Sequence, residues 1–323
     1  MGNTFTCMSK KAQKSDGIGS KSKRGSSTSK RKGSNSMEEE LLHRQALALA
    51  IQQHRQFSQR FESNGSMSRR VGSTSSRRRP TDSSDSLSKT TSKKESGLAP
   101  VALDLTGSGI DTTDTNNVTT LADYSKPLID FLQKLPEDEQ VILVGHSSGG
   151  ACVSYALEQL PKKILKAVYV CATMISDGHR PFDVFAEELG SAELFSPESK
   201  SLIYGNGKDK PPTGFMFEKQ HMCDLYFNQS PSKDVALAMV SMKPIPLGPM
   251  MEKVRLSAEK YGKGSRFYIQ TFDDNALSPD VQERLVRENP PQGVFNIKGS
   301  DHCPFFSKPQ SLHKILVEIA QIS

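Results

Sequence analysis

Short apolar runs alternate with segments of helical periodicity through the last two thirds of the chain. Between the first two runs, apolar residues recur at helical spacing from Leu121 to Leu135, and 309–319 repeats that pattern. Strands that alternate with helices predict an α/β domain with a parallel sheet, which we expect to span residues 97–323. The runs typical of buried strands are 100–105, 141–144, 167–172, 266–271 and 294–297.

A serine between two glycines follows the second of these runs. Residues 141–144 lead into Gly145-His146-Ser147-Ser148-Gly149, and helix formers follow over 151–160. Strand, sharp turn and helix form a nucleophile elbow, in which glycines are needed because larger side chains would collide with neighbouring elements. A Gly-x-Ser-x-Gly string also arises by chance, but this context makes Ser147 the candidate nucleophile.

An acid and a base follow Ser147 in the order that an elbow serine requires. A serine hydroxyl needs a histidine to take its proton, and the histidine needs a carboxylate to orient it. The doublet Asp273-Asp274 follows one late strand, and His302 follows the last. Each alone has an ordinary explanation as a turn former or a surface residue, but their order favours a catalytic triad. Asp301 is poorly placed to orient its own neighbour.

The first 96 residues differ in composition from the rest. Residues 1–97 carry 20 Lys and Arg against 8 Asp and Glu, whereas 98–323 carry 22 against 28. We expect 1–96 to be a disordered basic extension, with a short helix at about 38–60 where three acids precede strong helix formers. No aromatic residue follows Phe61 in the Ser/Arg-rich stretch, which favours a solvated linker over a nucleic-acid site.

Two interpretations of the amino terminus remain open beside that of an untargeted tail. Gly2 lies in a myristoylation pattern, and Cys7 and nearby lysines would supply a second signal for peripheral membrane association. A Ser-rich, basic and acid-poor beginning is equally typical of an organellar transit peptide.

Cysteine usage and hydropathy exclude several classes of protein. The five cysteines form no Cys-x-x-Cys pair, so neither a disulfide framework nor a zinc site is supported, and we expect no cofactor and no metal. No apolar run approaches the ~20 residues that span a bilayer. Oligomeric state is left open.

Several motifs together give the domain a specific resemblance. The segment 97–323 resembles the plant methylesterases, relatives of the methyl salicylate esterase and the hydroxynitrile lyases, and the basic extension resembles the subgroup described as chloroplastic. The motifs that carry it are Leu103–Gly109, Pro127-Leu128, Val141–Gly150, Asn228–Pro231, Leu277–Gln282 and Lys298–Pro309.

The resemblance implies an α/β-hydrolase fold and roles for single residues. Ser147 would be the nucleophile, Asp274 the acid, His302 the base and the Ser148 backbone one oxyanion donor, acting on methyl esters of small hormone acids. Residues 180–255, whose pattern fits a helical insertion or an ordinary excursion, would be a helical cap over the site.

One part of the family pattern is missing. Members open with a strand that runs into a His-Gly loop, whereas this chain passes from Ser96 directly to Gly97. The missing strand would lie between those at 100–105 and 141–144, and its loop would supply the second oxyanion donor. Two hypotheses follow: a weakened serine carboxylesterase, or an inactive truncated isoform that binds or regulates.

Overall fold

A computed structural model describes residues 4–9, 98–188 and 200–323 of the chain, the first of these as backbone alone. The short helix expected at 38–60, Gly2, and most of the basic extension lie outside the described residues. Within them, no helix is long and apolar enough to cross a membrane.

A six-stranded sheet forms the centre of the domain. Its order is β2-β1-β3-β4-β8-β9, and β3, β4, β8 and β9 run parallel to one another. This parallel portion confirms the α/β-hydrolase fold expected from the alternating pattern. The strands are β1 (Thr4–Ser9), β2 (Ala99–Asp104), β3 (Val141–His146), β4 (Ile164–Val170), β8 (Arg266–Thr271) and β9 (Gly293–Ile297), and a second sheet holds β5 (Lys200–Ile203), β6 (Gly214–Phe217) and β7 (Ile245–Pro246).

The strand β1 comes from the segment that we expected to be disordered. It lies between β2 and β3 and is antiparallel to both, with Thr4 paired to Asp104 and Thr6 paired to both Ala102 and Val144. This is the position of the missing family strand. Without β1, the facing edges of β2 and β3 would leave a row of backbone N–H and C=O groups unsatisfied, and β1 pairs them.

The helices flank the sheet on both faces. The two short 3₁₀ turns Thr115–Asn117 and Pro161–Lys163 connect them to the strands. The α-helices are α1 (Leu121–Lys134), α2 (Gly149–Gln159), α3 (Pro181–Glu188), α4 (Lys219–Tyr226), α5 (Ser232–Val240), α6 (Leu247–Met251), α7 (Pro279–Glu288), α8 (Pro304–Ser307) and α9 (Pro309–Gln321).

Alternating side chains of the central strands build a core on each face. In β3, Val141 and Leu143 pack with α1, α2 and α7, whereas Ile142 and Val144 pack with α9. The strand β2 is different, because Pro100, Val101 and Ala102 are exposed. The expectation of a buried strand over 100–105 was therefore wrong for these residues, which belong to an edge strand of the sheet.

The helix α1 shows how a proline is accommodated. Pro127 lies inside the helix and cannot donate to the carbonyl of Asp123, one turn earlier. The hydroxyl of Thr106 donates to that carbonyl instead, at 2.7 Å. Thr120 and Asp123 form a reciprocal capping box that begins the helix. The Thr106 hydrogen bond therefore fastens the loop after β2 to the helix.

The segment 180–255 is an insertion between β4 and β8, as expected for a cap. It contains helices α3 to α6 but also the antiparallel sheet β5-β6-β7, so the expectation of a purely helical insertion was incomplete. Between β5 and β6, Gly205, Gly207 and Pro211-Pro212 favour a turn over a helix. A small apolar cluster around Met222, Phe227 and Cys303 joins the cap to the last loop of the core.

Candidate active site

Ser147 occupies a strained turn between β3 and α2. Its φ of 54° lies in the left-handed region, which non-glycine residues seldom adopt. Hydrogen bonds hold the turn on both sides, because the Ser147 N–H donates to the carbonyl of Val170 and its own carbonyl accepts from Thr173 N–H. The turn presents the serine at the carboxyl edge of the sheet, with 8% of its surface exposed.

Close packing explains Gly145 of the elbow and Gly150, the glycine that follows the elbow. A Cβ on Gly145 would lie 2.5 Å from Val153 Cγ2, and one on Gly150 would lie 2.6 Å from the backbone oxygen of Thr173. Both distances are far below contact distance, and the second neighbour is backbone that cannot rotate away. The strand and helix can therefore approach closely enough to form the turn only if these positions lack side chains.

The structure brings Ser147, His302 and Asp274 together. Ser147 Oγ lies 2.8 Å from His302 Nε2, and His302 Nδ1 lies 2.8 Å from Asp274 Oδ2. His302 is fully buried and Asp274 is 3% exposed. A neutral imidazole that donates from Nδ1 to the carboxylate leaves Nε2 as the acceptor for the serine hydroxyl. Residues far apart in sequence thus form one continuous hydrogen-bonded chain.

Geometry separates the two members of the acidic doublet. The backbone N–H of Asp273 donates to Ser300 O, whereas the side chain of Asp274 turns inward. Five donors surround the Asp274 carboxylate, which offsets the cost of burying its charge. They are Ala276 N–H and Leu277 N–H on Oδ1, and Thr271 Oγ1, Gln282 Nε2 and His302 Nδ1 on Oδ2.

Two side chains that the sequence did not single out hold the backbone of His302. Its carbonyl oxygen lies 2.6 Å from His146 Nε2 and 3.3 Å from Cys171 Sγ. Burial lowers the pKa of His146 to about 3, with a further contribution from His302, so the ring is neutral and donates from Nε2. Burial raises the pKa of Cys171 well above its usual value, so its thiol keeps the proton that it donates.

The same group offers ligand atoms to a metal ion. His146, Cys171 and His302 have ligand atoms within 4.8 Å of one another. Each of them is already engaged in the hydrogen bonds just described, and a thiol with a raised pKa is a poor ligand. Hydrogen bonding therefore accounts for the cluster.

The cap meets the catalytic loops at one turn. The Tyr226 ring stands edge-on to the His302 imidazole, with centroids 4.8 Å apart and an interplanar angle of 90°. Burial raises the pKa of its phenol. On the other side of the site, the ring of Phe305 lies edge-on to His146 at 5.1 Å. The Tyr226 ring therefore covers part of the His302 imidazole, whereas Phe305 covers part of His146.

The position of Ser148 fits the role of oxyanion donor that the family resemblance implies. Ser148 follows the nucleophile and is the N-cap of α2, so its backbone N–H belongs to the amino end of a helix. Such ends favour negative charge. The loop that would supply the second donor by resemblance is absent from the sequence.

Comparisons with known proteins agree with this fold and geometry. Residues 83–314 match the model of the alpha/beta hydrolase family. The chain belongs to this family. It is 66% identical to methylesterase 14 of Arabidopsis thaliana over 88% of this chain and 90% of the relative, and 61% identical to methylesterase 12 over the full length of both, and both relatives are named chloroplastic. The resemblance to plant methylesterases is thereby confirmed, and the high sequence identity to methylesterases identifies the chain as an esterase.

Solved structures show the same relationship. A methylesterase from Arabidopsis, MES16, has a TM-score of 0.60 at 33% identity, with 68% of this chain and 86% of that chain covered. Polyneuridine aldehyde esterase has a TM-score of 0.63 at 29% identity, over 68% and 88%. The match to methylesterase 12 runs over 354 positions, 31 more than the 323 residues of this chain.

Proposed function

We propose that this chain is a serine carboxylesterase that hydrolyses methyl esters of small carboxylic acids through Ser147, His302 and Asp274. The observation that carries the proposal is the pair of 2.8 Å hydrogen bonds that link the three side chains at the carboxyl edge of the sheet. That arrangement activates a serine for acyl transfer.

In the first step, Ser147 Oγ attacks the ester carbonyl while His302 Nε2 takes its proton. Asp274 offsets the charge of the imidazolium, and the Ser148 N–H donates to the oxyanion. The tetrahedral intermediate collapses as the bond between the carbonyl carbon and the methoxy oxygen breaks. His302 gives its proton to that oxygen, so methanol leaves and the acyl group stays on Ser147.

In the second step, a water molecule hydrolyses the acyl group on Ser147. His302 Nε2 takes a proton from the water as its oxygen attacks the acyl carbon, and then returns a proton to Ser147 Oγ as the acyl bond breaks. The products are the free acid and the original enzyme. No cofactor is needed for this sequence.

The family suggests the class of acid. We propose methyl esters of plant hormone acids of the indole-acetate, jasmonate and salicylate classes. Support comes from the names of the methylesterase relatives and from the aromatic rings of Tyr226 and Phe305 beside His302 and His146, which suit an apolar acyl group.

The missing loop supports a second candidate function. Loss of one oxyanion donor typically costs ~10²–10³ in turnover. A chain with an intact triad but only one of the two oxyanion donors would bind the ester and hydrolyse it slowly. The alternative is therefore an impaired isoform that binds or regulates.

Methanol release separates the two candidates. Purified wild type would be incubated with a panel of the three methyl ester classes, beside Ser147→Ala and the exposed-site control Ser241→Ala. The esterase proposal expects methanol from wild type and Ser241→Ala but not from Ser147→Ala. Saturable binding of an ester without methanol release would instead establish the binding protein.

For the compartment, we propose the chloroplast. The extension has the composition of a transit peptide, which must stay attached if β1 is to pair with β2 and β3, and the relatives of 66% and 61% identity are named chloroplastic. The alternative is the cytosolic face of a membrane, reached through myristoylated Gly2 and palmitoylated Cys7. This alternative conflicts with the pairing of β1, in which Cys7 lies between Val101 and Leu143.

A further inference from the structure

Asp301 is a buried carboxylate that the triad does not use. It precedes His302 and has no exposed surface, and its side chain accepts hydrogen bonds from groups other than the imidazole. Its Oδ1 accepts from the Cys303 N–H at 2.9 Å. Its Oδ2 accepts from the Gln229 N–H at 2.9 Å and from the Ser230 hydroxyl at 2.7 Å.

The two donors to Oδ2 belong to the cap. Gln229 and Ser230 lie 72 and 71 residues before Asp301 and follow helix α4. A buried carboxylate is stable only if donors replace its lost water. Asp301 therefore keeps its hydrogen-bond donors only if the cap stays in place. The same hydrogen bonds hold the cap against the loop of Asp301.

The turn that Asp301 holds touches both catalytic loops. We name residues 226–230 the latch turn. Its Tyr226 ring packs edge-on against His302 at 4.8 Å, and Phe227 packs in one cluster with Cys303. Its Asn228 Nδ2 donates to the backbone oxygen of Asp273 at 2.9 Å, next to the triad acid.

We propose that Asp301 is a positioning residue, which fastens the latch turn to the loop of His302 and so keeps the imidazole between Tyr226 and Asp274. This inference rests on the proposed function, because it concerns the efficiency of the same triad. Asp301 touches neither Ser147 nor the imidazole through a hydrogen bond of its side chain. It acts through the cap turn and through the backbone of Cys303.

Two variants of different severity test the latch. Asp301→Asn keeps the volume of the side chain but turns an NH₂ donor towards one of the groups that donate to Asp301. Ser230→Ala removes one hydroxyl donor and leaves the buried carboxylate with the N–H groups of Gln229 and Cys303. Ser230→Thr keeps the hydroxyl, and Ser232→Ala is a control at an exposed serine of α5. Turnover would be normalised to active sites titrated with a fluorophosphonate, so that loss of folded protein does not count as loss of catalysis.

A misplaced base lowers kcat more than it lowers substrate affinity. Because a displacement of about 1 Å costs ~10²-fold, we expect Asp301→Asn to lower kcat per titrated site by roughly 10- to 100-fold, with less change in KM. Ser230→Ala should show a smaller loss, Ser230→Thr should restore most of it, and the double variant should lose no more than Asp301→Asn alone.

The outcomes distinguish this inference from the proposed function. Wild-type kcat per titrated site in Asp301→Asn and Ser230→Ala, with only a lower melting temperature, would overturn the latch and leave a structural role. Additive losses in the double variant would also overturn it. Unchanged hydrolysis by Ser147→Ala would instead remove the proposed function itself.

Discussion

His302 is held from four sides by contacts that differ in kind. Asp274 orients its ring, Ser147 meets its Nε2, Tyr226 packs on its face, and His146 binds its carbonyl oxygen. Sequence order predicted Ser147 and the doublet Asp273-Asp274, and the family resemblance singled out Asp274. The others could not be predicted, because they depend on how the cap and the elbow approach the last loop in three dimensions.

Asp274→Asn tests the orienting role of the acid. The carboxamide fits the same space, but it stabilises the imidazolium poorly and favours the wrong tautomer. We expect kcat to fall by about 10⁴-fold. Steady-state kinetics at saturating ester would measure the loss, with Asp273→Asn as the matched control. Equal losses in both variants would contradict the assignment of Asp274.

The lowered pKa of His146 predicts a pH effect on stability. The folded state keeps this ring neutral down to about pH 3, whereas the unfolded chain protonates it near pH 6.5. The neutral ring therefore contributes fully to the free energy of unfolding above pH 6.5. This contribution is lost as the pH falls from 6.5 towards 3, with a slope of up to about 1.4 kcal/mol per pH unit.

His146→Gln isolates that effect, since glutamine can still donate to the carbonyl of His302. Denaturant unfolding at several pH values between 6.5 and 4 should show a steeper loss of unfolding free energy for wild type than for His146→Gln. Parallel curves for the two proteins would refute the buried neutral ring. The exposed His179→Gln serves as the control and should follow wild type.

Among the elements, β1 departs most from what the sequence indicated. Apolar runs and helical periodicity predicted β3, β4, β8, β9 and α1, because each carries its own burial pattern. The segment Thr4–Ser9 lies in a Ser- and Lys-rich environment, and strand pairing across some ninety residues leaves no local signal. Only the vacancy between β2 and β3 indicated that some strand had to pair there.

A proline in β1 tests whether it completes the sheet. Thr6 pairs with Ala102 and Val144, and proline would remove one ladder hydrogen bond and clash with the pairing. We expect Thr6→Pro to lower the melting temperature by several degrees, since each kcal/mol is worth about 2–4 °C in a domain of this size. Calorimetry beside Ser20→Pro, outside the described residues, would measure it.

Hydrogen exchange gives the same test a local readout. In Thr6→Pro, the amides of Val141 to Val144 should exchange faster than in wild type, because β3 would lose its partner on that side. Unchanged melting and unchanged exchange would show that β1 does not complete the sheet in solution.

At the scale of the whole molecule, charge divides the chain into two parts. The first 97 residues are net basic and the remaining residues are net acidic. The hydrolase domain lies in the acidic part. Composition predicted this division. It did not predict that the strand β1 would cross it, because six residues barely affect an average over ninety-six.

Imaging of fluorescent fusions tests the compartment. If the extension is a transit peptide, wild type and Gly2→Ala should both reach the plastid, because import does not require an acylated glycine. Relocation of Gly2→Ala from a membrane to the cytosol would support lipid anchoring instead. A fusion that lacks residues 10–96 provides the control for the extension as a whole.

Covalent labelling tests whether Ser147 is a nucleophile activated by His302 and Asp274. Wild type would be treated with a fluorophosphonate and analysed by intact mass and peptide mapping. We expect one phosphonyl group per chain, on Ser147, with labelling abolished in Ser147→Ala and strongly slowed in His302→Ala. Labelling that persists in Ser147→Ala, or a folded wild type that does not react, would contradict it.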